Sequence, residues 1–413
     1  MTNKLLADPW AQHRRAAGPL DAYLESFGAL LDGRGYARGT EQQKLQLVAA
    51  FSRWLARRRL TVGDVDEQRG TEFVRACRKR RHAHRGDGTT VRTLLEHLRQ
   101  ISVIPAPTVA VRPTERSRVE QAFSRYLAQE RGLSPATVIN YLPEVRRFLS
   151  ERFVTGAIRL DEIRLPDVTQ FVARQARAFS PGRVKLLLTA LRSFFRFLRL
   201  TGETAIDLAS SVLSVADWRL ARVPQWIPAA QVKQVLQHCD RQTRLGQRDY
   251  TIVLLLARLG LRAGEVVSLT LDDIDWEAGE LVIRSSKGGR QDRMPLPRDV
   301  GQALATYLRQ GRPACGSRRV FLCAKAPRRG FTSSVAVCTI VRRALARAGL
   351  HPPSTGAHLF RHSLATEMLR RGASLAEIGE ILRHRHPDTT AIYAKVDLGA
   401  LRAVAPPWPG GTA

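Results

Sequence analysis

The sequence predicts a mainly helical, multidomain protein that carries a small antiparallel β-sheet in its C-terminal half. Three observations support this. Long stretches place apolar residues at helical spacing, and Leu45–Leu60, with its Trp, Leu and Phe stripe, is the clearest early case. Two aperiodic connectors, 104–113 and 205–225, divide the chain into blocks. Glu280–Arg284 and Arg293–Leu296 read as strands joined by a tip containing Lys287-Gly-Gly-Arg290, which suits a tight primed turn. Strands followed by helices, with no βαβ alternation, give a helical domain with a small sheet attached.

A chain of 413 residues is long enough for two or three separate cores. Its 44% hydrophobic and 25% charged content is that of a globular protein. The excess of 66 Lys+Arg over 37 Asp+Glu, net +29, with a sequence pI near 11.3, is not ordinary and points to a polyanionic partner. Cys77, Cys239, Cys315, Cys323 and Cys338 show no C-x-x-C spacing and are odd in number. That argues against a disulfide framework or a zinc module and for a reducing cytoplasm. The N-terminus lacks a signal-peptide apolar core, and Ile252–Ala257 is too short to span a bilayer, so no membrane role is expected.

Taken in order, 1–104 reads as a helical domain with a loop around Arg80–Thr89, and 115–205 as a second helical block. The two resemble each other. Gly35-Tyr-Ala-Arg-Gly-Thr40 matches Gly132-Leu-Ser-Pro-Ala-Thr137; Leu45, Val48 and Phe51 match Leu142, Val145 and Phe148; Phe73-Val74 matches Phe171-Val172. A shared order of turn, long helix and two further helices suggests tandem duplication of one unit. In the second block Arg146, Arg147, Arg183, Lys185, Arg192 and Arg196 recur with nearly uniform sign, where a solubility surface mixes signs. They are candidate contacts to a phosphate backbone.

From Trp226 the pattern changes, and 224–405 reads as a third domain. Ala229–His238 and Asp249–Leu259 read as helices, the second buried, followed by a turn at Gly260-Leu-Arg-Ala-Gly264 and a short helix at Glu265–Leu269. Near the C-terminus, Pro352-Pro353 blocks a helix and Ser354 or Thr355 can cap the next. From His358 apolar residues run at helical spacing to a stop at Gly372, placing His358 and Arg361 on one exposed face. Ser374 and Glu377 form a capping box for a second helix ending near His384, and Pro387-Asp388 starts a third, short one carrying Tyr393.

Arg262 in G-L-R-A-G-E, Lys287 on the hairpin, His358 and Arg361 in H-L-F-R-H, His384 in L-R-H, and Tyr393 nine residues later together resemble the tyrosine recombinase (phage integrase) family. The resemblance is strong over about 224–400 and weaker over 115–205, where it implies a SAM-like core-binding domain. It implies a site-specific DNA recombinase in which Tyr393 attacks the scissile phosphate, giving a 3′-phosphotyrosyl bond and a free 5′ hydroxyl. It also implies a C-shaped clamp on double-stranded DNA and a homo- or hetero-tetramer of protomers on two DNA sites. No cofactor, ATP or metal is implied, because the phosphotyrosine retains the bond energy. Two departures stand out: Arg383 replaces the usual Gly before the second His, and Leu359 stands where an acidic residue is common. The block 1–104 is longer than the compact members require.

The residue chemistry fits independently. Transesterification at a phosphodiester needs a nucleophile, groups to neutralise the phosphorane and an acid for the leaving oxygen. Tyr393 can supply the first, Arg262 and Arg361 the second through bidentate forks, and Lys287 the third, with Arg290 a rival. His358 is placed to take the tyrosine proton or hold a phosphate oxygen, His384 to bind another, and Glu265 to orient a neighbouring base. His362 and His386 read as phosphate-side or structural, since the H-E-x-x-H signature is absent. Two other readings remain open: a type IB topoisomerase, which uses the same covalent step, and a DNA-binding accessory subunit of a transposition module.

Overall fold

Among the described residues four amphipathic helices build the N-terminal block: α1 (Leu24–Gly33), α2 (Arg38–Arg57), α3 (Glu67–Lys79) and α4 (Asp87–Gln100). The computed structural model describes residues 18–79, 84, 86–106, 114–154, 157–213, 223–284 and 291–396. Phe27, Phe51, Leu55, Leu94 and Leu98 are wholly buried in the core of this block. The loop expected up to Thr89 gives way to helix at Asp87, whose carboxylate accepts the His84 N–H at 2.7 Å and so starts α4 early.

The second block repeats the order with α5 (Glu115–Arg125), α6 (Pro135–Arg152), α7 (Leu165–Ala178) and α8 (Pro181–Leu200). In each block a short 3₁₀ turn, Val62–Asp64 or Leu160–Glu162, precedes the third helix. The same aromatic pair ties the second helix to the third: Phe51–Phe73 at 4.7 Å and Phe148–Phe171 at 5.2 Å between centroids. Gly70 departs from its counterpart Val168, because a Cβ there would lie 2.7 Å from Val91 Cγ1. Each block has its own hydrophobic core. By contacts the chain divides into two units, Met1–Thr108 with Val223–Ala413, and Val109–Arg222. Within the first unit the Arg328 N–H donates to the Arg34 carbonyl at 2.9 Å.

The C-terminal domain contains α9 (Ala229–Gln237), α10 (Arg244–Leu259), α11 (Ala263–Ser268), α12 (Arg298–Thr306), α13 (Val335–Arg347), α14 (His358–Arg370) and α15 (Leu375–Ile381). Its antiparallel sheet runs β1 (Ile274–Asp275), β2 (Glu280–Arg284), β3 (Gln291–Pro295), with Leu281 opposite Met294. The stretch Ile252–Leu256 of α10 is buried on every side, so it forms the axis of the domain core. Ser363 on α14 accepts the Ile227 N–H at 2.9 Å and fixes the start of the domain to the helix that bears the H-L-F-R-H motif. Two expectations about that helix are corrected. Its N-cap is Ala357 rather than Ser354 or Thr355. Arg361 is 3% exposed and not on an open face, because backbone carbonyls draw its guanidinium inward. Among the described residues no helix is long and apolar enough to cross a membrane.

Candidate active site

The site forms where the end of α10, the start of α11, α14 and the end of α15 meet. Gly260 closes α10 in the left-handed region, φ +57°, and a Cβ there would stand 2.7 Å from Leu382 Cδ2. That close approach lets the Arg361 guanidinium donate to the carbonyls of Gly260 and Leu382, one from each converging element. Arg262 is the N-cap of α11, and Glu265 accepts both its backbone N–H (2.9 Å) and its guanidinium (2.8 Å). Glu265 is thus the orienting group that the sequence suggested.

The second helix ends in a Schellman arrangement: Arg383 N–H donates to Glu380 O and His384 N–H to Gly379 O, both at 2.9 Å. Arg383 therefore occupies the left-handed position, φ +55°, that glycine usually fills, at a strain of about 1–2 kcal/mol. Its guanidinium reaches Glu265 at 2.9 Å and also contacts Met294 on β3. Arg262 and Arg383 both pair with this one carboxylate, and Arg361 lies in the field of the two guanidiniums. Burial, then the Arg262 and Arg383 charges, push Arg361 down to about 9, so it stays protonated at neutral pH. Burial pushes the Glu265 carboxyl up, but Arg383, the Arg262 N–H and the Arg262 guanidinium together hold it below the ordinary carboxylate value. This excess of positive charge is complementary to an incoming phosphate.

Tyr393 lies on the 3₁₀ turn Ala391–Val396 and is 1% exposed. Its ring packs with Ala365, Ile378 and Leu382, yet its hydroxyl faces the polar side and meets His362 Nδ1 at 2.9 Å. Burial pushes the phenol up to about 12, against the pull of Arg361 and Arg262. Burial, then His358 and Arg361, push His362 down to about 4, so the imidazole is neutral at pH 7 and shares a hydrogen bond with the phenol. The phenol thus meets His362, whereas the sequence offered His358 for the proton. His358 is lowered by burial and then by Arg361 and Arg262, which puts it in the field of those two guanidiniums. His384 stacks on Tyr393 at 6.4 Å with rings 5° apart and is held by Thr390 Oγ1 at 2.7 Å. Burial, followed by Arg361 and Arg262, lowers it to about 4.

Sequence reasoning gave the phenol contact of His362 and the ion pair of Arg383 no definite role. His362 follows Arg361 directly, and its partner is 31 residues away, beyond any helical period. Arg383 was visible only as a departure from glycine. Leu359, the other departure, is 1% exposed in the main core, where an acidic side chain would lack a partner. Lys287 and Arg290 lie outside the described residues, as does the chain after Val396.

The candidate phosphate contacts of the second block have local partners. Arg146 pairs with Glu120 (2.6 Å), while Arg147 (2.6 Å) and Arg183 (3.4 Å) share the buried Glu144. Arg192 donates to the carbonyls of Val212 (3.0 Å) and Leu213 (3.1 Å), and so ties the chain after α8 to that helix. Lys185 and Arg196 are exposed. The near-uniform sign read along the sequence is therefore partly offset by carboxylates in the fold.

A phenol beside a neutral imidazole and a cluster of guanidiniums suits nucleophilic transfer at an anionic ester. The sequence profile of the Phage integrase family matches residues 225–398, and that of the Phage integrase N-terminal SAM-like domain matches 121–202. A Sinorhizobium fredii protein named as an integrase/recombinase, y4rA, is 44% identical over 402 residues, 97% of each chain. Tyrosine recombinase XerD of Mycobacterium tuberculosis is 32% identical over 310 residues, 70% of this chain and 96% of its own. The chain belongs to the phage integrase family of tyrosine recombinases and is a site-specific recombinase. The fold is shared with a lambda integrase dimer bound to a COC′ core site (TM-score 0.53, 17% identity, 68% of this chain and 95% of that one). It is shared likewise with XerH bound to palindromic difH (TM-score 0.54, 18% identity, 71% and 97%).

Proposed function

We propose that this recombinase cleaves and rejoins double-stranded DNA through Tyr393. The phenolic oxygen attacks the scissile phosphorus, the O–P bond to tyrosine forms, and the bond to the 5′ oxygen breaks. A 3′-phosphotyrosyl linkage and a 5′ hydroxyl result, and attack by a partner strand's 5′ hydroxyl reverses the step. His362 accepts the phenolic proton. Arg262 and Arg361 neutralise the non-bridging oxygens, His358 and His384 donate hydrogen bonds to them, and Lys287 protonates the leaving oxygen. The observation that carries this reading is the Tyr393 hydroxyl on His362 Nδ1, inside the field of Arg361 and Arg262.

Arg146, Arg147, Arg183, Lys185, Arg192 and Arg196 belong in this reading to the phosphate-facing side of the 115–205 domain, the paired ones exchanging carboxylates for phosphates. The helical repeat supports assigning 1–104 as a second DNA-contacting domain beside 115–205 and the catalytic 224–405. Four protomers, alike or of two kinds, act on two DNA sites in the cytoplasm.

The test uses the full chain and a nicked duplex carrying its own site, recovered by sequencing DNA crosslinked to Tyr393, with EDTA present. A covalent adduct that disappears in Tyr393→Phe supports the reading, and mobility-shift binding without adduct overturns it. Strand exchange between two sites, against mere relaxation of one supercoiled circle, separates recombination from topoisomerase action.

A further inference from the structure

Arg383 is a buried cation to which the roles above give no task. It sits where the helix termination favours glycine, in the left-handed region at φ +55°. Its side chain is 6% exposed, and its Nε is buried without a hydrogen-bond partner among the described residues. Strained backbone and a buried guanidinium are both unfavourable, and they persist together only where the surroundings fix them. What fixes them is Glu265, which accepts from Arg383 Nη2 at 2.9 Å, and Met294 on β3.

Glu265 is also the partner of Arg262, whose side chain is 38% exposed against 7% for Glu265. An arginine that turns toward a phosphate must loosen its hold on a carboxylate. With Arg262 alone beside it, Glu265 would then be a buried, uncompensated negative charge next to an entering anion. It would hold Arg262 back and repel the phosphate.

We propose that Arg383 is a positioning residue: it keeps Glu265 neutralised while Arg262 engages the scissile phosphate, and so frees Arg262 for that contact. The inference rests on the reading that Arg262 binds the phosphate in a Tyr393-dependent cleavage. In this role Arg383 acts through Glu265 and not on the phosphate itself. Its contact with Met294 also ties this carboxylate to the sheet, which limits how far the three can drift apart.

The experiment measures adduct formation on the nicked duplex by the full chain, for wild type, Arg383→Gly, Arg383→Asn, Arg383→Lys and Glu265→Gln. Glycine and asparagine both accept the left-handed backbone, so at least one neutral variant keeps the fold, as melting and mobility shift will show. We expect adduct formation to fall about 10- to 100-fold in the neutral variants with duplex binding retained, and to recover in large part in Arg383→Lys. The deficit narrows as pH falls and Glu265 takes up a proton. In a Glu265→Gln background the loss on removing Arg383 shrinks to less than about threefold, because there is no charge left to neutralise. Adduct formation at the wild-type rate in a folded neutral variant overturns the inference, as does an equal loss in the Glu265→Gln background. Failure of wild type itself to form a Tyr393 adduct overturns the underlying reading of the site instead.

Discussion

Tyr393 and His362 define the residue scale. Replacing Tyr393 with Phe removes the nucleophile and the 2.9 Å hydrogen bond while keeping the ring among Ala365, Ile378 and Leu382. The expected outcome is no detectable covalent adduct, with stability lowered by only about 1 kcal/mol in denaturant titration. The histidines also predict a pH dependence. His362 and His384 are held at about 4, below the ordinary 6.5, and His358 is lowered too. A depressed histidine contributes stability that is present above 6.5 and lost as pH falls toward the folded value, because the unfolded chain takes up the proton first. Melting temperature should therefore drop between pH 6.5 and 5, above the range where carboxylates titrate, and His384→Asn should flatten part of that drop. A melting curve level across this window would contradict the assignment. That Arg262, His358, Arg361, His384 and Tyr393 would come near one another was legible as a pattern of motifs in order. Which imidazole meets the phenol was not, because that depends on how a 3₁₀ turn folds back on α14.

At the scale of elements, the helix ends aim the site. Gly260 ends α10 with a carbonyl directed at Arg361, and Leu382 ends α15 with another. Gly260→Ala is expected to destabilise the chain by about 1–2 kcal/mol from the left-handed backbone alone. It should also push Leu382 away, its Cδ2 being 2.7 Å from the new Cβ, so adduct formation should fall further than stability explains. Thermal melting beside adduct kinetics checks both. The capping box of Ser374 and Glu377 formed as the sequence foretold, because its two hydrogen bonds close within three residues (2.7 and 3.2 Å). Strands β2 and β3 were legible as two short runs flanking a turn signal, though β3 spans Gln291–Pro295 rather than Arg293–Leu296. The two-residue β1 was not, since its pairing with β2 is set across the sheet and not by its own sequence. The expected cap at Ser354 or Thr355 yielded to Ala357, which is buried in the core with Leu359 and Phe360. Tertiary packing outweighed a local preference worth about 1 kcal/mol.

For the whole molecule, the balance of charge favours a polyanionic partner. With a net charge of +29, duplex affinity should fall linearly with the logarithm of salt concentration. Arg196→Ala, on an exposed position of α8, should weaken binding to all sequences alike and reduce that slope by about 1. Arg192→Ala should in addition lower the stability of the 115–205 domain, seen as a lower melting temperature, because its guanidinium caps the Val212 and Leu213 carbonyls. Fluorescence anisotropy across a salt series separates the two outcomes. The kinship of the two N-terminal blocks was visible in Phe51 and Phe73 against Phe148 and Phe171, since apolar spacing survives where surface residues change.

The sealed phenol has a consequence for the life of the enzyme between encounters. A side chain with 1% of its surface open cannot reach a phosphodiester that merely brushes past. In the reading of Tyr393 as nucleophile, the phenol must therefore leave its packing before it meets a phosphodiester.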